Sequence, residues 1–255
     1  MKQPDNIEYH FDRSSFNTSV HSHWPNPSLG YSNSNTGSDV LQVIERFLDN
    51  TQVPVCGSII HILLKRYPNE LVIDNLVERI RQRYSTVTVT ISTNPSGGLY
   101  SKTMYKLATK TNGIGYFTDG DGYDWEEAYM NYWEQFPYIT YSTNVNVSGN
   151  GSVTLPPMSR SPSWANIYIT VQDSGTMTSF QNMTLTFHGS IDTYTLTPEN
   201  GDFKVSNNLI SGGHAFNETN YSVTLDYQYF DSKQQTLQIR VNTWHPIDYW
   251  IPYAN

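Results

Sequence analysis

Charge is scarce in this chain. Only 15% of residues are charged, and the acidic ones prevail, for a net −8 at neutral pH. No run of Lys and Arg offsets that balance, which excludes the basic footprint of a protein that binds nucleic acid or an anionic membrane surface. Cysteine occurs once, so an intrachain disulfide is impossible, and Cys56 reads as a small buried hydrophobe. No stretch approaches the roughly 20 apolar residues of a membrane-spanning helix. The amino-terminal segment carries Asp5, Glu8, Asp12 and Arg13 without an apolar core, so no signal peptide is visible in this chain. A phosphate loop, a dinucleotide fingerprint after a strand and a Gly-x-Ser-x-Gly elbow are also missing. His214 after Gly212-Gly213 therefore reads as a loop residue, and His61 as a hydrogen-bonded interior residue. No cofactor is implied, and the chain reads as non-enzymatic.

What is present divides in two. At 255 residues the chain can form two modest domains, 1–136 and 137–255. In the first, Ser58 to Arg66 is a β-branched apolar run suited to a strand buried on both faces. Pro68 breaks it. Leu71, Leu76, Val77 and Ile80 then recur at helical spacing, and Thr86 to Ile91 alternates as a second strand. Ser38 to Leu48 predicts a preceding helix capped by Ser38 or Asp39. Ser101 to Asn112 predicts a following one, stopped at Asn112-Gly113, before a short strand from Ile114 to Thr118. Ile7–Phe11 and Phe16–Val20 read as short strands. The pattern is α/β, a Rossmann-type parallel sheet with helices.

After Pro137 the period changes to two. Runs at 138–147, 152–155, 167–171, 184–187, 193–196, 221–229 and 236–241 predict seven or eight short strands, read as an Ig-like antiparallel β-sandwich.

Three groups of residues could carry function. Asp119, Asp121 and Asp124 on a Gly-rich loop, with Glu126 and Glu127, could coordinate Ca²⁺. EF-hand spacing is not met, however, and the simpler reading is a solvated turn opening a short helix. Trp125, Tyr129, Tyr132 and Trp133 at helical spacing read as packing between the domains. Trp244, Tyr249 and Trp250 near the carboxyl terminus could stack on sugars or anchor a protein, or cover a sandwich edge. Asn17, Asn146, Asn150, Asn182, Asn217 and Asn220 head glycosylation sequons, five of the six beyond residue 140. That placement leans toward secretion.

The order of elements in 38–118 resembles the second half of a von Willebrand factor type A domain, with Ser34-Asn-Thr-Gly-Ser38 as its Gly-Thr-rich loop. The phrases Gly37–Phe47, Lys65–Glu70, Ser96–Gly98, Leu107–Gly113, Val147–Pro156, Thr170–Asp173 and Leu237–Val241 resemble nematode secreted or surface proteins. Those couple a degenerate type A domain to a β-sandwich of unknown function, some with C-type lectin domains upstream. The resemblance implies an extracellular binding or adhesion module, linked to host defence, whose protein or glycan ligand is unspecified. It also puts the metal site in doubt. The Asp-x-Ser-x-Ser motif and the segment for the first strand are missing. Lys65-Arg66-Tyr67 stands where an Asp ligand belongs, leaving Thr36 as the one ligand of that set. The alternatives are a carbohydrate-binding module using exposed aromatics and an inactive partial paralogue.

Overall fold

The structure, a computed structural model, describes residues 7–23, 28, 30–118, 135–160, 164–175, 179–203 and 207–254. Its amino-terminal half holds three parallel strands, β1 (Ile59–Leu64), β2 (Thr86–Ser92) and β3 (Gly115–Thr118), in the order β1-β2-β3. Helices α2 (Val40–Leu48), α3 (Asp74–Gln82) and α4 (Lys102–Lys110) alternate with them, after an outlying α1 (Arg13–Ser22). Parallel strands cannot be joined by tight turns, so each connection carries a helix. Leu76, Val77 and Ile80 of α3 face Val87, Val89 and Ile91 of β2 in one apolar core. Burial of each such side chain contributes about 1.5–3 kcal/mol. Asn112 takes φ 57° and ends α4, as the Asn-Gly pair predicts.

Two expectations for this half change. The strand buried on both faces is β2, whose Thr88, Thr90 and Ser92 are as inaccessible as its valines. β1 lies at the sheet's rim, with Leu63 60% exposed, because among the described residues only β2 pairs with it. The strands expected at 7–11 and 16–20 are absent. Residues 7–10 have no regular structure, and Asp12 caps α1 by accepting from the Ser15 amide. That local cap outweighs the β-branched residues around it.

Among the described residues the second half is a β-sandwich of eight strands, β4 (Tyr138–Val147), β5 (Asn150–Ser159), β6 (Ala165–Thr170), β7 (Phe180–His188), β8 (Thr193–Leu196), β9 (Asn208–His214), β10 (Asn220–Tyr229) and β11 (Gln235–Thr243). The sheets run β4-β11-β6-β9 and β5-β10-β7-β8, antiparallel throughout. Counted from β4, that is 1-8-3-6 against 2-7-4-5, the double Greek key of a jelly roll. The Ig-like expectation is corrected here, since an Ig sandwich places its first and last strands in different sheets, whereas β4 and β11 pair. Strand length and alternation are common to both folds, so only the pairing separates them. β9 is the strand that the sequence hides. Gly212-Gly213 reads as a turn, yet it lies within β9 as a shift of register in the ladder to β6, and His214 ends the strand.

The inner faces meet in a core of Leu185, Phe187, Val223, Leu225, Leu237, Ile239 and their neighbours. On the outer face of β4-β11-β6-β9, Tyr168, Gln238, Arg240 and Asn242 are buried as well, with Gln238 and Arg240 bonded to the α/β layer.

Candidate functional site

The two halves meet along a polar seam. β11 turns Leu237, Ile239 and Val241 into the sandwich core, so Gln238, Arg240 and Asn242 point away from it, and all three are buried. β3 is the strand that Gln238 receives. Its Gly115 and Phe117 amides point away from β2 and would be orphaned at a sheet edge. The Gln238 side-chain carbonyl accepts the first at 2.8 Å, and that of Asn207 accepts the second at 2.7 Å. Their amide groups donate onward, Gln238 to Thr109 Oγ1 (2.6 Å) and Asn207 to the Gln172 carbonyl (2.6 Å). Side chains of one sheet thus finish the hydrogen bonding of another.

Arg240 is fully buried among carbonyl-type acceptors. Nε donates to the Asn112 and Gly113 carbonyls at 3.0 Å, one terminal nitrogen to those of Thr143 and Ile239, and the other to Asn144 Oδ1 at 2.8 Å. Burial pulls its pKa down to about 9, with Tyr105 and Tyr141 opposing, so it remains a cation at neutral pH. Asn112 sits beside it. Its Oδ1 accepts from Ser142 Oγ and the Ala254 amide, and its Nδ2 donates to the Pro252 carbonyl.

In open α/β sheets, ligands bind beyond the carboxyl ends of the strands. Here that end of β1 is Lys65-Arg66, and both cations bond to the protein. Lys65 Nζ donates to Ser92 Oγ at 3.0 Å. Arg66 donates to the main-chain carbonyls of Tyr31 (3.0 Å), Asn33 (3.1 Å) and Thr36 (2.7 Å), and lies over the Tyr31 ring. Thr36 therefore meets a guanidinium with its carbonyl. The loop closes tightly over this site. A Cβ on Gly98, at φ +83°, would stand 1.9 Å from the Tyr67 carbonyl oxygen.

The carboxyl-terminal strap departs from expectation only in part. It crosses the α/β layer as well as meeting the sandwich beside its edge strands β4 and β5, at Phe136 and Arg160. Trp250 stacks on Tyr84 (5.0 Å between centroids, 26°) and lies over Gly57. Tyr253 Oη donates to the Ser85 carbonyl, and Arg81 sits on the Tyr253 ring. Tyr249 Oη donates to the Arg160 carbonyl, with the Arg160 guanidinium over its ring. Trp244 stacks on Phe136 (5.8 Å, 9°). Trp244 and Trp250 nevertheless stay 51% and 61% exposed. The structure does not place Trp244, Tyr249 and Trp250 on one another, since each has its own partner.

His61 is half-buried with Nδ1 unpaired, not hydrogen-bonded, and burial lowers its pKa to about 4. Its β2 neighbour Thr88 is also unpaired at Oγ1. Cys56 is exposed, not buried, because it lies in the turn between Val55 and Gly57. His214 stacks on Tyr194 at 3.6 Å. Asp119, Asp121 and Asp124, with Trp125, Tyr129, Tyr132 and Trp133, lie outside the described residues. All six sequon asparagines are exposed. Among the described residues no group of three His, Cys, Asp or Glu is arranged to hold a metal. Nor is any described helix long and apolar enough to cross a membrane.

Gln238, Asn207 and Arg240 escaped the sequence reading because a polar residue at every second strand position signals solvent. One hint was Tyr168, a bulky ring on the same outward face of β6.

A family described only as a domain of unknown function, DUF7154, matches residues 143–244. That span runs from within β4 to just past β11 and leaves out the α/β layer. No curated protein and no solved structure matches the chain.

Proposed function

We propose that this chain is a non-enzymatic, extracellular binding module, in which a metal-free, von Willebrand factor type A-like layer is the scaffold for the sandwich. Residues 1–136 and 137–255 are its two units. The observation that carries this reading is Arg66. A guanidinium bonded to three loop carbonyls supplies a fixed positive charge at the ligand-binding end of the sheet, and a divalent cation beside it would meet repulsion instead of carboxylates. The parallel order β1-β2-β3 agrees with the second half of a type A sheet. The exposed sequons and the resemblance to nematode secreted proteins support export and a part in host defence.

The test uses the metal alone. Melting of the full chain is followed with Mg²⁺, Mn²⁺ or Ca²⁺ and with chelator. The reading expects no shift, and a melting temperature that rises with any of these ions contradicts it.

A second reading is a carbohydrate-binding module. It is favoured by the half-exposed rings of Trp244 and Trp250, each held by one aromatic neighbour and so presented to solvent in a fixed orientation. Binding on a glycan array that disappears with Trp244→Ala or Trp250→Ala would establish it. A blank array leaves a protein ligand as the partner.

A further inference from the structure

The six sequons are not spread evenly over the fold. Asn150 of β5 and Asn182 of β7 both pair with Gln228 of β10. They therefore lie in one row, two strand spacings or about 10 Å apart. Asn220 stands at the other end of β10 on the same outward face, since Tyr221, Val223 and Leu225 turn into the core. Because side chains alternate along a strand, the hydroxyl residue of each sequon, Ser152, Thr184 or Ser222, shares that face with its asparagine. The opposite sheet is a control within the molecule. Its outer face is also rich in asparagine, at Asn144, Asn166 and Asn242, but there Asn166 and Asn242 are buried and Asn144 is half-buried. There the residue two places on is Asn146, Tyr168 or Trp244, never Ser or Thr. The one sequon on that side, Asn146, sits at the exposed end of β4. Two sheets of similar composition thus differ in sequons as they differ in access.

We propose that the outward face of β5-β10-β7-β8 is a modification surface carrying N-linked glycans at Asn150, Asn182 and Asn220. The reaction needs a lipid-diphosphate-linked oligosaccharide and a transferase of the secretory pathway. Asparagine Nδ2 bonds to the anomeric carbon of the first sugar as the bond from that carbon to the diphosphate oxygen breaks. The lipid diphosphate leaves with the electron pair, and the amide gives up one proton. In the folded chain the glycans screen this sheet, so partners meet the rest of the molecule. The inference rests on the extracellular reading above.

The full chain, fused behind a heterologous secretion leader and made in a eukaryotic host, supplies the test. Glycosidase release in heavy-oxygen water marks each occupied asparagine as a labelled aspartate in peptide mass spectra. Labelling at all three positions is expected. The triple variant Ser152→Ala, Thr184→Ala, Ser222→Ala keeps every asparagine, and it should lose that labelling while retaining a cooperative melt. If that variant does not fold, the three single variants, each losing label at its own asparagine alone, give the same answer. A secreted, folded chain unmodified at these asparagines overturns the proposal. The supplied leader makes the result independent of natural export. A natural chain confined to the cytosol refutes the extracellular reading on its own.

Discussion

Arg240 holds a charge in the interior, bonded to carbonyl-type oxygens. Taking a cation out of water costs several kcal/mol unless dipoles replace the lost hydration. Here carbonyls from α4's end, β4 and β11 converge on one planar group, and the fork of an arginine can bond to several at once. Arg240→Met removes the cation but strands the Asn112, Gly113 and Thr143 carbonyls. We expect a loss of about 3 kcal/mol or more in chemical denaturation. Arg240→Lys should recover little, because one ammonium cannot span those acceptors. His61 makes the opposite case. Its neutral form is favoured in the fold, where burial lowers the pKa from 6.5 to about 4. The unfolded chain therefore binds the proton first as pH falls. Stability from this residue is complete above about pH 6.5 and is lost progressively toward pH 4, up to about 3 kcal/mol. His61→Val should flatten that part of the curve of melting temperature against pH. An unchanged slope would remove His61 from the account. Neither role was legible in the sequence. An arginine at an outward strand position looks solvated, and a histidine in an apolar run looks satisfied, until the layer packed on each is known.

At the scale of the element, the parallel unit, the helix stop at Asn112 and most sandwich strands could be read directly, because hydrophobic period and turn chemistry are local signals. What could not be read depended on partners. Ser58–Arg66 and Thr86–Ile91 are equally apolar or β-branched, yet among the described residues only the second has a strand on each side. The choice between Ig and jelly-roll order likewise rests on pairing across the sheet. The short strand β3 depends most on what lies beside it. Gln238→Ala leaves the Gly115 amide unpaired, and Asn207→Ala leaves that of Phe117, each at a cost of about 1–3 kcal/mol. For a chain of this size, that is a drop of about 2–4 °C in melting temperature per kcal/mol. The two losses should be less than additive in a double-mutant cycle, since both sit on one strand. Gly98→Ala forces a side chain into the Tyr67 carbonyl at positive φ. It should cost more than either, and should also loosen the loop that Arg66 holds.

Across the whole molecule, the seam and the strap make one body of two dissimilar layers. The strap ties residues beyond β11 back to Tyr84, Ser85 and Asn112, so the last residues of the chain close on its first half. Trp250→Ala removes a ring that is more than half exposed. It should cost only about 1 kcal/mol in a thermal melt, which leaves the variant folded for ligand assays. On the proposed reading the α/β body is a scaffold, with Arg66 where a type A domain would hold a cation and β3 fitted onto the sandwich. Amide hydrogen exchange of Gly115 and Phe117 in the full-length protein tests that claim most directly. If the sandwich completes the sheet, both amides exchange only when the whole molecule unfolds, at the same free energy as the core of β11. Exchange at the rate of an open strand edge, while β11 stays protected, would mean that the layers are merely adjacent, and the scaffold account would fail.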